Sequence, residues 1–497
     1  MKDRPNIVLV MTDQQRADFF KSEGFPLDTM PFTEALGAGG IRFQNAYTPM
    51  PVCVPARTST LTGRFPKATR VRENSAAEHV YAPQDLVTTL RAQGYSINIA
   101  GKNHSYLQAG DFDYHSFYFH LGKLDEPELP EERAFDAWLK AGGHKVYPEP
   151  APFPLECQLP YRVVSDAIAG LERRDTQKPF FLWLSFPEPH NPYQVPEPYF
   201  SLFPEAEIPD RIAGPEAAEA KGGKWAWLRR LIEEKRPGYD ALWRRYRANY
   251  CGMIRLIDDQ IRRFVDYLDA HGLAGNTIFI FTSDHGDYAA DYGLQRKGVG
   301  LPESLVRVPL FFWGPGITPN PSLRDEFVSL VDIMPTLCAA TGAEIPYGVQ
   351  GRDLWPLLTG GADGGDEFRS MYAELGFGGL HYEEHERPPL HFPYDDMEFD
   401  ELNSVTQSGN LKMVRMGRWK LLFDMQGHGE MYDLEHDPGE LNDLFDDPAH
   451  RAVRAELVEE LLRWTIRTED PLPSAAYLPK RPPHNWYAPE RAGEPPA

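Results

Sequence analysis

The stretch VCVPARTSTLTGRFP, residues 52–66, sets one of only four cysteines beside a proline, with Arg57 four residues on and Arg64 beyond Leu61-Thr62-Gly63. A cysteine that only fills a core needs no such neighbours, because a buried thiol packs as a small apolar group. A reactive cysteine does need fixed positive charge nearby, and arginine stays protonated wherever it is placed. Other short stretches also gather chemistry-bearing side chains. They are TDQQ (12–15), AGKNH (100–104), PEPHNPY (187–193), SDHGD (283–287) and GLQRKG (293–298). Asp13, Asp284 and His285 together suit a divalent cation. The carboxylates favour a hard ion such as Ca²⁺, whereas imidazole is a poor calcium ligand and a better one for Mn²⁺.

These residues need a scaffold that brings them together. NIVLVMTD (6–13) is a continuous apolar run ending in polar residues, as a central strand of a covered parallel sheet should be. The runs in 94–104, 178–186, 276–287 and 306–316 follow the same scheme, and in most of them the polar residues come just after the run. Open α/β sheets place ligands at the carboxyl ends of their strands. Residues 83–94 read as an amphipathic helix ending at Gly94. Residues 239–272 read as a long one, with Ile254, Ile257, Ile261, Phe264, Val265 and Leu268 on its apolar face and Gly272 as its stop. Strands alternating with helices predict a layered α/β fold. The Gly/Asp-rich 359–368 predicts a linker. The polar 380–409 predicts a loop lying over a site, and 411–425 with 430–438 predict short strands before a helix near 448–466. The Pro-rich 471–497 reads as irregular.

The totals narrow the function classes. The chain has 497 residues and a formal net charge of -22, so its surface repels polyanions and nucleic acid is excluded as a partner. If the substrate is an anion, a local basic pocket must overcome that field. Cys53, Cys157, Cys251 and Cys338 are far apart, which argues against a zinc knuckle or a disulfide framework. No apolar run approaches a membrane span, so the expectation is a cytoplasmic protein with no membrane partner. The oligomeric state stays open, a homo-oligomer included.

The pattern C-x-P-x-R-x-x-x-L-T-G-R, carried by Cys53, Pro55, Arg57, Leu61, Thr62, Gly63 and Arg64, resembles the signature of the formylglycine-dependent type I sulfatases, in the alkaline-phosphatase-like superfamily. The resemblance runs from NIVLVMTDQ to MYDLEHDPGELNDL. It implies a large, mostly parallel sheet flanked by helices in residues 1–365. A smaller C-terminal α+β subdomain with a substrate-covering loop would occupy 366–497. It implies that a maturation enzyme oxidises Cys53 to formylglycine, whose hydrate offers two hydroxyls on one carbon. One hydroxyl attacks sulfur, and the other collapses the hemiacetal to expel sulfate. The implied metal set is Asp13, Gln14, the Cys53-derived oxygen, Asp284 and His285, with Gln14 standing where the family typically has a second aspartate. Arg57 would supply fixed charge beside the hydrate and sulfate. Lys102 would contact the hydrate, and His104 would hold or deprotonate its second hydroxyl. His190 would protonate the leaving oxygen as general acid. Lys297, thirteen residues after Asp284, would bind the sulfate and bridging oxygens.

The implied reaction is hydrolysis of aryl or carbohydrate sulfate esters. A phosphonate monoester or phosphodiester hydrolase is the alternative, since that sister group resembles this chain at Asp-Gln and Asp-His. A non-catalytic protein on the same scaffold would have lost site residues, and none is lost. Other polar residues carry blander readings. Asp258 and Asp259 fall on the long helix and read as a solvated face. Asp332 reads as a cap or hydrogen-bond anchor. His381, His385 and His391 lie in the polar loop without metal-ligand spacing.

Overall fold

The computed structural model describes residues 4–82, 84–361, 364–376 and 410–469. The first apolar run forms β1 (Asn6–Asp13), every residue of it buried. Val8 and Val10 enter the core on one side of the sheet, and Ile7, Leu9 and Met11 enter the core on the other. Covering both faces is what makes the run continuously apolar. The sheet has eight more strands. These are β2 (Ile41–Tyr47), β3 (Ser96–Gly101), β4 (Tyr114–Phe119), β5 (Gly122–Lys123), β6 (Phe180–Pro189), β7 (Thr277–Ser283), β8 (Leu310–Trp313) and β9 (Leu323–Ser329). Their order is β5-β4-β3-β6-β1-β7-β8-β2-β9. β4, β3, β6, β1 and β7 are mutually parallel, with Ile7 opposite both Phe181 and Ile278. The fold is the layered α/β architecture expected, a large, mostly parallel sheet with helices on both faces.

The run at 306–316 departs from the expected scheme, because β8 pairs antiparallel with both β7 and β2. A strand buried on both faces reads the same whichever way it runs. The long helix spans Trp243–Ala270, and Gly272 follows it at φ 66°. Here one expectation is corrected: Asp258 is fully buried, not solvated. Its Oδ1 accepts from the Thr33 backbone N–H at 2.8 Å and its Oδ2 from that of Phe32 at 2.9 Å. It thereby caps the helix Pro31–Ala38, whose own N-cap residue, Met30, offers no side chain. Burial pushes the Asp258 carboxyl up to about 6, against those hydrogen bonds. The helical period places Asp258 between Ile254 and Ile261, on the buried face. Asp332 accepts from the Ser329 N–H at 2.8 Å and pairs with Arg352 at 3.0 Å, an anchor as expected.

Residues 411–433 build a meander with one strand before them: β10 (Ser370–Leu375), β11 (Leu411–Met416), β12 (Trp419–Asp424) and β13 (Gly429–Asp433), all antiparallel. The helix Arg451–Glu469 packs on this sheet through Leu457, Leu461 and Trp464. The Gly/Asp-rich stretch is no free linker, since Phe368 is buried in the core of the main sheet. β10 ties directly to the cysteine segment. The Glu374 N–H donates to Pro49 O at 2.9 Å, and its carboxylate accepts from the Lys67 N–H at 2.9 Å. The stretch 380–409, with His381, His385 and His391, lies outside the described residues, as does 471–497. No helix among the described residues is long and apolar enough to cross a membrane.

Candidate active site

β1, β3, β6 and β7 end at one edge of the sheet, and the side chains singled out in the sequence collect there. Cys53 opens a helix, Cys53–Thr62, that is buried throughout. The sequence CVPARTSTLT has little intrinsic helical preference. Burial and local bonds hold it instead: the Thr60 and Thr62 hydroxyls donate to the carbonyls four residues back, and Gly63 closes it at φ 62°. Asn74 Oδ1 accepts the Val54 N–H at 3.0 Å. Cys53 therefore sits at the positive end of a helix, where an anion is favoured.

Four groups surround the Cys53 sulfur. His285 Nε2 is 3.2 Å away, Lys297 Nζ 3.4 Å, Lys102 Nζ 3.6 Å and Asp13 Oδ1 3.8 Å. Arg57, one turn along the helix, lies beneath them. Its Nε donates to Asp284 Oδ2 at 2.8 Å and its terminal nitrogens to Asp13 Oδ2 at 3.1 Å, Lys102 O at 2.9 Å and Ser185 Oγ at 2.8 Å. With those donors committed, Arg57 acts by holding both carboxylates in place. Lys102 also pairs with Asp13 Oδ2. Asp284 Oδ1 accepts the backbone N–H groups of Gln14 at 3.0 Å and His285 at 2.9 Å. Burial would raise the Asp284 carboxyl, but Arg57, Lys102 and the Gln14 N–H together hold it well below the usual carboxylate range.

The residues present fit a cation. Ligand atoms of Asp13, Cys53, Asp284 and His285 all lie within 4.8 Å of one another. His285 Nδ1–H donates to Gly286 O at 2.8 Å, which leaves the Nε2 lone pair facing the cluster, and burial keeps the ring neutral. Gln14, at φ 70°, gives its amide N–H₂ to Asp287 at 2.5 Å and to Tyr193 at 3.2 Å. Its carbonyl Oε1 is buried without a hydrogen-bond partner. A buried acceptor left unmet is costly unless something else binds it. Oxygen from Asp13, Asp284 and Gln14 with one imidazole nitrogen is a donor set for a hard to borderline divalent ion. The Cys53 sulfur marks where an oxygen of the oxidised side chain would stand.

His190 follows β6 and is buried. Its Nδ1–H donates to Asn191 O at 2.9 Å, which makes Nε2 the nitrogen for proton transfer. His104 follows β3 at φ 32°, half-buried, with its ring edge-on to Phe119 at 5.1 Å. Sequence reasoning missed Ser185, Asn74 and His120. His120 stands just past the end of β4, so the strand-end rule would have flagged it had β4 been recognised in YHSFYF, whereas Ser185 lies inside β6.

The chain is similar to proteins of known class. The family model described as Sulfatase matches residues 5–343. An arylsulfatase of Clostridium perfringens is 31% identical over 494 residues, covering 92% of this chain and 94% of that one. Among solved structures, the phosphonate monoester hydrolase of Agrobacterium radiobacter superposes with a TM-score of 0.75 at 24% identity, covering 94% of this chain and 96% of that one. A protein solved in complex with its substrate D-glucosamine-2-N,6-O-disulfate superposes with a TM-score of 0.71 at 20% identity, over 94% and 99%. With these likenesses spanning nearly its whole length, the chain belongs to the sulfatase family, hydrolases of sulfuric esters.

Proposed function

We propose that the chain hydrolyses aryl or carbohydrate sulfate esters at Cys53, matured to formylglycine, beside one divalent cation held by Asp13, Gln14, Asp284 and His285. The observation that carries this reading is the convergence of Lys102, Lys297 and His285 on the Cys53 sulfur, with Arg57 locking the two carboxylates below. A hydrated aldehyde at that carbon supplies a nucleophilic hydroxyl and a second one that releases sulfate without attack of water on sulfur. Held by those residues, a Ca²⁺ or Mn²⁺ ion would supply charge that favours the ionised nucleophile and offsets the approaching anion.

The chain's own residues do the rest. Lys102 and Lys297 bracket the reacting position and receive the sulfate oxygens, where their charge is worth most because the site is dry. His104, at the half-buried rim, holds the second hydroxyl. His190, its Nδ1–H fixed on Asn191 O, donates the Nε2 proton to the departing alkoxide. A saccharide sulfate as substrate is supported by the likeness to the structure holding a disulfated glucosamine. The sulfate reading is tested against the phosphonate one with paired esters of a single phenol. The sulfate ester should have the higher kcat/KM, and a tenfold or greater preference for the phosphonate would reverse the assignment.

A further inference from the structure

His120 is buried immediately after β4, eighteen residues past Lys102, and no step above uses it. Its Nδ1 lies 3.3 Å from Pro187 O, so Nδ1 carries the hydrogen and Nε2 keeps its lone pair. That Nε2 is 2.9 Å from Lys102 Nζ, close enough to accept one of the ammonium hydrogens. The ring lies flat against that of His190, with centroids 3.5 Å apart and an interplanar angle of 12°. His144 stands edge-on to both rings at 6.3 Å, and Phe119 closes the outer side at 4.4 Å from His120. Burial, then the neighbouring His190, Lys102 and His144, push His120 well below the ordinary histidine value, so the ring is a neutral acceptor.

We propose that His120 is a positioning residue that aims two groups at once, Lys102 through its Nε2 and His190 through its ring face. Lys102 has three N–H donors. One goes to Asp13, one to His120, and the third is left for the Cys53 sulfur. His190 is fixed in its plane by Asn191 O and across its face by the His120 ring. Without the ring, the imidazole can turn about its side-chain torsions and carry Nε2 away from the leaving oxygen. One residue thus couples the cation that meets the nucleophile to the acid that meets the leaving group.

The inference rests on His190 being the acid, and the test separates the two. Matured, metal-loaded His120→Gln, His120→Phe and His190→Ala are assayed on 4-nitrophenyl sulfate and phenyl sulfate, with Cys53 maturation checked by mass. Gln keeps an acceptor for Lys102 and loses the ring, so phenyl sulfate should slow by about tenfold or more while 4-nitrophenyl sulfate stays within about threefold. Phe keeps a ring and loses the acceptor, so both esters should fall together by about tenfold. Equal loss on both esters in His120→Gln beside a selective loss in His190→Ala would overturn the inference and leave the acid assignment standing. An equal loss in His190→Ala would remove the acid assignment, and undiminished rates in His120→Phe would then dispose of the Lys102 half. If His120→Phe does not fold, the Gln arm alone decides.

Discussion

Two clusters of charge in this molecule are balanced differently. One is a cavity of about 260 Å³ between the main sheet and the C-terminal one, lined by Arg16, Arg307, Arg415, Asp18, Asp291 and Glu303. Three arginines meet three carboxylates there. Arg16 pairs with Asp18 at 2.6 Å and Asp291 at 2.7 Å, and Arg415 approaches Glu303 at 3.6 Å. The other cluster surrounds Cys53, where Arg57 and Lys102 pair with Asp13 and Asp284 while Lys297 approaches the sulfur itself. The first is neutralised internally and offers an anion nothing. The second turns Lys102, Lys297 and His285 onto one sulfur and holds a Gln14 carbonyl without a hydrogen-bond partner. Buried ion pairs alone do not mark a site; their convergence with further donors on one reactive atom does.

The contrast breaks most sharply at the cation. Chelation should suppress turnover, and Ca²⁺ or Mn²⁺ should restore it. Asp284→Asn should lose activity by orders of magnitude, because it removes charge from the cation site and leaves Arg57 with half its compensation. Full activity in a sample that metal analysis shows to be empty would contradict this. Next comes His190→Ala, expected to slow esters of poor leaving groups by roughly 10²–10⁴. Activated nitrophenyl esters, whose alkoxide barely needs a proton, should lose far less, as steady-state rates across a leaving-group series will show.

The balanced cluster gives the opposite expectation. Asp291→Asn strips the common partner of Arg16 and Arg247. It should cost roughly 3–5 kcal/mol of stability in a denaturant titration, with kcat/KM of the folded fraction changed by less than about twofold. The smallest effect concerns pH. Burial would raise Asp18, but Arg16 outweighs it and holds the carboxyl down at about 2. A depressed carboxyl binds fewer protons folded than unfolded, so its stabilisation is complete above the unfolded value of about 4 and fades as pH falls towards 2. Wild type should lose stability over that window, and Asp18→Asn should lose less.

What could be read from the chain alone follows the same physics. β1 and β7 were legible because a doubly covered strand is uninterrupted apolar sequence, and Asp13, Asp284 and His285 because they stand where those runs stop. The helix beginning at Cys53 was not legible as a helix. Its threonines, serine and proline carry no amphipathic period, and only tertiary burial makes it one. The direction of β8 was illegible for want of any compositional trace. Asp258 was misread because charge was allowed to outweigh its helical position beside Ile254 and Ile261. Arg57 was read as fixed charge beside the hydrate and sulfate; that four of its donors go to Asp13, Asp284, Lys102 O and Ser185 is a fact of distances that spacing cannot hold.

The central claim, that catalysis runs through an oxidised Cys53, is tested most directly by preparing the protein at graded levels of maturation. Each sample is mapped over residues 48–64, where conversion of the thiol to the aldehyde lowers the mass by about 18 Da, and its turnover of a sulfate ester is measured. Turnover should rise in proportion to the converted fraction and vanish at zero, as it should in Cys53→Ala with an unchanged melting curve. Turnover independent of that fraction, or retained in Cys53→Ala, would contradict the claim.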